Sequence, residues 1–210
     1  EGKWVNPWWR SRERMIPLSR PVKPLHDRLP LAEGDVEIAI GPDGFVQGQF
    51  EGNRQLCHQI RQWGGSPRRI VDLFCGAGNL SLPLAAACGA HVTGAELSDA
   101  SVRMARRNAS RLGIDARFEA VNLFEPFDAE PFVGCDLMLL DPPRRGAKRI
   151  CRRMGQLLPQ RLIMVSCDVA AGARDAGLLA EQGYRLRGLR ALDLFSYAGH
   201  VEAVSLWEPS

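Results

Sequence analysis

Short apolar runs recur along the chain, and each stops at a small or acidic residue. Residues 69–74, 91–96, 116–121, 135–140 and 161–166 are such runs. Their length and flanking turns predict buried strands of a parallel sheet. Between them lie segments with helical spacing: 52–63, 80–88, 147–157 and 170–182. The helix after Glu96 is the best marked, with Ser98 as its cap, a stripe at Val102, Ala105, Ala109 and Leu112, and Gly113 at its end. Its other face carries Arg103, Arg106, Arg107 and Arg111, which reads as a solvated face with RNA contact as the rival. Segments at 184–194 and 200–207 predict a closing hairpin. Strands alternating with helices predict an α/β fold, a mostly parallel sheet covered on both faces.

Residues 1–34 are different. They hold three Trp, five Pro and seven Lys or Arg, with no helical or strand period. They are expected to form a basic, Trp- and Pro-rich arm that drapes its rings over the core; stacking on RNA is the alternative. Arg20-Pro21-Val22-Lys23-Pro24 reads as a linker. Regular structure begins at Asp35, where Val36-Glu37-Ile38-Ala39-Ile40 alternates as a strand before a turn at 41–44. The main domain is therefore expected over 35–210.

With 210 residues and 45% hydrophobic content the chain can bury one substantial core. No apolar run is long enough to span a membrane. The amino terminus has no secretory pattern, and a cytoplasmic setting is expected. There is no initiating Met, which is compatible with a fragment. A net charge of +3 permits a nucleic-acid partner without requiring one. The six cysteines, none closer than 13 residues to the next, fit neither a disulfide framework nor a metal site.

Candidate chemistry collects where strands end, the edge at which open α/β sheets bind ligands. Asp72-x-x-x-Gly76-x-Gly78 is a strand followed by a glycine turn and a helix. It stops short of the full dinucleotide fingerprint, because position 81 is Ser. Glu96, closing the next strand, is placed to accept hydrogen bonds from ribose hydroxyls. Together with Asp141-Pro142-Pro143 these features favour S-adenosylmethionine over a nicotinamide cofactor. Asp72 could instead tie down the turn, and Phe74 could be core. Cys167 ends the 161–166 run where a helix begins, and helix amide groups there are expected to lower its thiol pKa. A thiol suits methylation at carbon 5 of uracil. That carbon becomes nucleophilic once a thiolate adds at carbon 6, and a base must afterwards remove its proton. Alternation in the last strand sends His200 and Glu202 to one face.

Five motifs carry a resemblance. They are Phe45-x-Gln47, Asp72-Leu73-Phe74-Cys75-Gly76-x-Gly78-Asn79, Leu140-Asp141-Pro142-Pro143-Arg144-x-Gly146, Val165-Ser166-Cys167-Asp168 with Ala173-Arg174-Asp175, and Asp193-Leu194-Phe195 before His200-Val201-Glu202. In this order they resemble the S-adenosylmethionine-dependent uracil-5 RNA methyltransferases, which act on tRNA or ribosomal RNA. The resemblance implies a Rossmann-like class I methyltransferase fold, with a seven-stranded sheet and an antiparallel carboxyl-terminal hairpin. It implies Cys167 as nucleophile and Glu202 as the base. It also implies cofactor contacts from Gln47, Phe74, Gly76, Gly78, Asn79, Glu96, Asn122 and Asp141. Gln47 and Asp141 are further expected to touch a flipped uracil. Arg144 is expected to bind phosphate or to form a structural ion pair.

Departures from the family pattern are local. Asp168-Val169 stands where Asn-Pro is usual, and a charge at Asp168 is expected to raise the Cys167 pKa. Gln49 stands where Asn is usual. Nothing before residue 35 resembles the family's small β-barrel or its cysteine cluster. Rival readings are a cytosine-5 or amino-group methyltransferase and a module that binds S-adenosylmethionine or RNA without turnover. The cytosine-5 pattern wants a Cys beside the Pro after residue 141, and the amino-group pattern an aromatic residue where Arg144 stands. Oligomeric state stays open.

Overall fold

The structure, a computed structural model, describes residues 8–10, 15–17, 25–31, 34–40, 50–195 and 200–210. Two hairpins come first, β1 (Trp8–Arg10) with β2 (Met15–Pro17) and β3 (Leu25–Leu31) with β4 (Gly34–Ile40). Helix α1 (Phe50–Gly64) follows, then β5 (Arg69–Leu73), α2 (Ser81–Cys88), β6 (His91–Glu96), α3 (Asp99–Leu112) and β7 (Ala116–Ala120). The second half contains β8 (Leu137–Leu140), α4 (Lys148–Cys151), α5 (Met154–Leu157), β9 (Leu162–Ser166) and α6 (Val169–Glu181). It closes with β10 (Tyr184–Phe195) and β11 (His200–Pro209).

Seven strands form one sheet in the order β7-β6-β5-β8-β9-β11-β10. The first five run parallel, and β11 is antiparallel to both β9 and β10. This is the Rossmann-like methyltransferase architecture, with the hairpin closing one side of the sheet. Alternation within the central strands divides the core into two layers. Ile70, Leu137, Leu139, Ile163 and Val165 face the side packed by α1, α2 and α3. Val71, Leu73, Met138, Leu140 and Leu162 face the opposite side, with Ile150, Met154 and Leu179 from α4, α5 and α6. Strands buried on both faces explain why these runs read as continuously apolar. Truncating a fully buried member such as Leu137 to Ala would cost about 2–5 kcal/mol.

The predicted elements appear with ends shifted by a residue or two, and three places differ in kind. Residues 8–10, 15–17 and 25–31, where no strand period was expected, form paired strands, the last along its whole length with β4. Their order comes from a partner strand, which a single-strand pattern does not reveal. Asn108 anchors that hairpin to α3: its Oδ1 accepts from the Ala39 amide at 3.0 Å, and its Nδ2 donates to the carbonyls of Ala39 (2.8 Å) and Ala77 (3.0 Å). The helix expected over 147–157 is two short helices, because Arg153 leaves helical geometry at φ −106°, ψ 7°. The expected solvated face of α3 is also partly engaged. Arg106 donates to the Phe118 carbonyl, and Arg111 pairs with Glu37 on β4.

Candidate active site at the carboxyl edge of the sheet

Every chemically suggestive strand end emerges on one edge. In sheet order this edge presents Glu96 after β6, the Phe74–Gly78 turn after β5, Asp141 after β8, Cys167 after β9 and Glu202 on β11.

The β5–α2 turn is held from beneath. Ser81 Oγ donates to Asp72 Oδ2 at 2.5 Å, so the residue that interrupts the glycine fingerprint ties the first turn of α2 to its strand. Asp72 Oδ1 stays buried without a hydrogen-bond partner among the described residues. Burial pushes the Asp72 carboxyl up to about 7, opposed by the Ser81 hydroxyl and assisted by the charge of Glu96. Phe74 sits at φ +67°, a left-handed conformation that costs a non-glycine residue roughly 1 kcal/mol or more. Its ring packs against Phe124 at 5.3 Å between centroids. Gly76 is also left-handed, at φ +53°, and a Cβ there would meet nothing within 4 Å. Open space over a turn that glycine shapes is what a closely approaching ligand requires.

Glu96 is half-buried and oriented by two amides. Gly76 N–H donates to its Oε2 at 3.2 Å and Ser98 N–H to its Oε1 at 3.0 Å. Each carboxylate oxygen keeps a lone pair, which suits a ribose diol. The next residue, Leu97, is 59% exposed and adds an apolar surface beside that carboxylate. An adenosine group fits this arrangement of open turn, acid and apolar flank. Asn79 behaves differently: its side-chain amide exchanges two hydrogen bonds with buried Asn53 of α1, at 2.7 and 3.0 Å. Asn122 is exposed and its Oδ1 accepts from Phe124 N–H, leaving its amino group open for further bonds. Gln47 lies outside the described residues, as do Phe45, Gln49 and the side chain of His200.

On the other half of the edge, β11 pairs with β9 through Ala203 and Ser166. One further step of that antiparallel register brings Glu202 opposite Cys167. Glu202 is 3% exposed, and its Oε2 has no hydrogen-bond partner among the described residues. Burial raises its carboxyl pKa, with Arg144 pulling the other way. Asp141 is pushed up to about 8 by burial, then by the charges of Glu202 and Asp72.

The Cys167 thiol is half-buried and its pKa is raised, not lowered as expected from its helix position. Burial is the main cause, followed by the charges of Glu202 and Asp141; a backbone amide and Arg144 oppose them. Asp168, the expected source of a raised pKa, is not among these causes. It caps α6 with Oδ1 accepting from Ala171 N–H at 2.8 Å, the task an Asn would perform.

A second carboxylate braces the loop after Asp141. Buried Asp175 accepts from Ala147 N–H at 2.6 Å and from Arg174, which itself donates to the Arg145 carbonyl. The helix that follows Cys167 thereby holds the loop that follows Asp141. Two signals went unread in the sequence, Ser81 as a partner for Asp72 and Asn53 as a partner for Asn79. Both link residues on different elements, and only the folded chain brings them together.

Residues 70–158 match the family described as "Methyltransferase domain". The chain is 44% identical over 200 residues to the 23S rRNA (uracil(1939)-C(5))-methyltransferase RlmD of Aromatoleum aromaticum, covering 88% of this chain and 46% of that protein. It is 38% identical over 181 residues to the RlmD of Shewanella halifaxensis, covering 84% and 40% respectively. The chain is similar over most of its length to part of these uracil-5 rRNA methyltransferases. It spans less than half the length of these curated relatives. A solved member, the tRNA (uracil-54, C5)-methyltransferase of Pyrococcus abyssi in complex with S-adenosyl-L-homocysteine, superposes with a TM-score of 0.77 at 28% identity. The match covers 95% of this chain and 50% of that one. The expected fold and cofactor class agree with these family members. Among the described residues no helix is long and apolar enough to cross a membrane.

Proposed function

We propose that this protein transfers a methyl group to carbon 5 of a uridine in a structured RNA, a ribosomal RNA or a tRNA, through a covalent adduct with Cys167. Residues 35–210 would form the methyltransferase domain and residues 1–34 an arm. The observation that supports the reading is the closeness of Cys167 to buried Glu202, whose charge raises the thiol pKa and whose Oε2 has no hydrogen-bond partner among the described residues. The names of the family relatives supply the base and the RNA class.

S-adenosylmethionine, when bound, supplies an electrophilic methyl group. Glu96 would hold its ribose, and Phe74, Gly76, Gly78, Asn79, Asn122 and Asp141 would border it, with Gln47 completing the contacts. Cys167 adds as thiolate to carbon 6 of the uracil, pushing electrons onto carbon 5 and the carbonyl at carbon 4. Carbon 5 is then the nucleophile. Once it is methylated, Glu202 takes its remaining proton, the double bond re-forms and the Cys167 thiolate leaves. Asp141, with its carboxyl raised toward neutrality, is suited to pair with the polar edge of the base, and Arg144 offsets the negative charge around the thiol.

The test is an RNA containing 5-fluorouridine, whose carbon 5 has no proton for the base to remove. Incubated with protein and S-adenosylmethionine, it should give a complex that survives denaturant and disappears in Cys167→Ala. Cofactor binding without such a complex in the unaltered protein would replace this reading with that of a non-catalytic binding module.

A further inference from the structure

The stretch from Pro142 to Cys167 contains seven Lys or Arg and no acid. Six of these cations lie between Arg144 and Arg153, directly beyond Asp141 on the edge described above. They divide into two sets at intervals of four. Arg145 places its guanidinium 3.2 Å from the centroid of the Phe124 ring, Arg149 donates to the Phe124 carbonyl at 3.0 Å, and Arg153 lies over the Phe127 ring at 5.1 Å. This set packs against the 122–127 loop. Arg144, Lys148 and Arg152, the other set, are exposed. Lys148 and Arg152 have no acidic partner among the described residues.

Two features distinguish this set from an ordinary solvated face. The loop that carries it is braced, since Asp175 and Arg174 grip Ala147 and Arg145 from α6. A Cβ at Gly146, which has φ +76°, would collide with both of those side chains. The set also starts beside the reacting groups, because β8 and β9 are neighbours and end at Asp141 and Cys167. Lys148 and Arg152, cations on a held scaffold with no acidic partner among the described residues, suit a polyanion with regularly spaced charges.

We propose that Lys148 and Arg152, continuing from Arg144, form a track for the phosphates of the RNA strand that flanks the target uridine. This rests on the RNA reading above and adds the direction in which the strand leaves the site: over α4, away from the β10–β11 hairpin. The contacts are to phosphates, so they position the strand and do not read its sequence.

The experiment measures binding of a fluorescein-labelled RNA hairpin with loop uridines, across a salt series, by the unaltered protein and two charge-matched double variants. In Lys148→Gln/Arg152→Gln the affinity should fall about tenfold, and the slope of log Kd against log salt should drop by about one for each residue removed. Arg103→Gln/Arg107→Gln on α3 should leave the slope unchanged. Wild-type affinity in the first variant, or an equal drop in slope for both, would overturn the track. Binding of S-adenosylhomocysteine and the melting temperature report folding in each variant, and both pairs are exposed. The 5-fluorouridine complex is scored separately: its absence in the unaltered protein sinks the catalytic reading, while the salt slopes still decide the track.

Discussion

Glu202 on β11 stands one register step beyond the Ala203–Ser166 pair, across from Cys167 at the end of β9. Thirty-five positions of sequence separate them, and an antiparallel strand inserted beside a parallel one brings them face to face. Side chains opposite each other on adjacent strands share a face of the sheet, with Cβ atoms about 5 Å apart. A thiol and a carboxyl so placed can reach neighbouring carbons of one pyrimidine ring. The same closeness sets the electrostatics, because the charge of Glu202 disfavours the thiolate.

Removing the proposed base should separate addition from release. In Glu202→Gln the thiol is still present, so the methylated adduct should form and then persist on ordinary uridine RNA. Turnover should fall by about 10²–10⁴-fold, the usual contribution of a positioned base. Denaturing gels would show the trapped complex; rapid release of methylated RNA from this variant would exclude Glu202 as the base.

The thiol should respond to its neighbours in a defined direction. Cys167 is raised by burial and then by Glu202 and Asp141, while Arg144 lowers it. Its thiolate fraction, and hence its alkylation by iodoacetamide, should rise with pH. Glu202→Gln should move that profile to lower pH, and Arg144→Gln should move it to higher pH. Mass spectrometry of the Cys167 peptide reads both shifts, and a common profile would deny the coupling.

Asp141 ties stability to pH. Its folded pKa is about 8 against an ordinary carboxylate value of 3.8, so the folded protein favours its neutral form. That preference is fully present below about pH 4 and is lost as pH rises through about 8. Asp72, raised to about 7, acts in the same sense. Asp141→Asn removes one of these terms and should be more stable than the parent at about pH 9, by about 1 kcal/mol or more, while losing activity. Urea unfolding at acid and alkaline pH would measure it, and equal stabilities at alkaline pH would contradict the assignment.

Asn108 links the amino-terminal hairpin to the glycine turn. Asn108→Ala removes three buried hydrogen bonds, to Ala39 N–H and to the carbonyls of Ala39 and Ala77. The expected loss is about 2–4 kcal/mol, with weaker cofactor binding because Ala77 belongs to the turn. Thermal unfolding and calorimetry with S-adenosylhomocysteine test the two effects separately.

By itself the sequence determined which segments become the seven strands of the main sheet and which become the helices between them, and it marked the groups carried at each strand end. The apolar runs around Ile70, Leu137 and Ile163 are buried on both faces, so their hydrophobicity is a local property of each segment. The turn chemistry at Gly76 and the cap at Ser98 are local in the same way. Tertiary structure decided what depends on a partner. Residues 25–31 become a strand only by pairing with β4. Ser81 meets Asp72 and Asn53 meets Asn79 only when α2 and α1 pack beside β5. The raised Cys167 pKa was hidden for the same reason: a helix start beside the thiol is visible in sequence, whereas burial and the carboxylates from β8 and β11 arise only on folding. Charge acts through space, and the distances that set its strength belong to the assembled sheet.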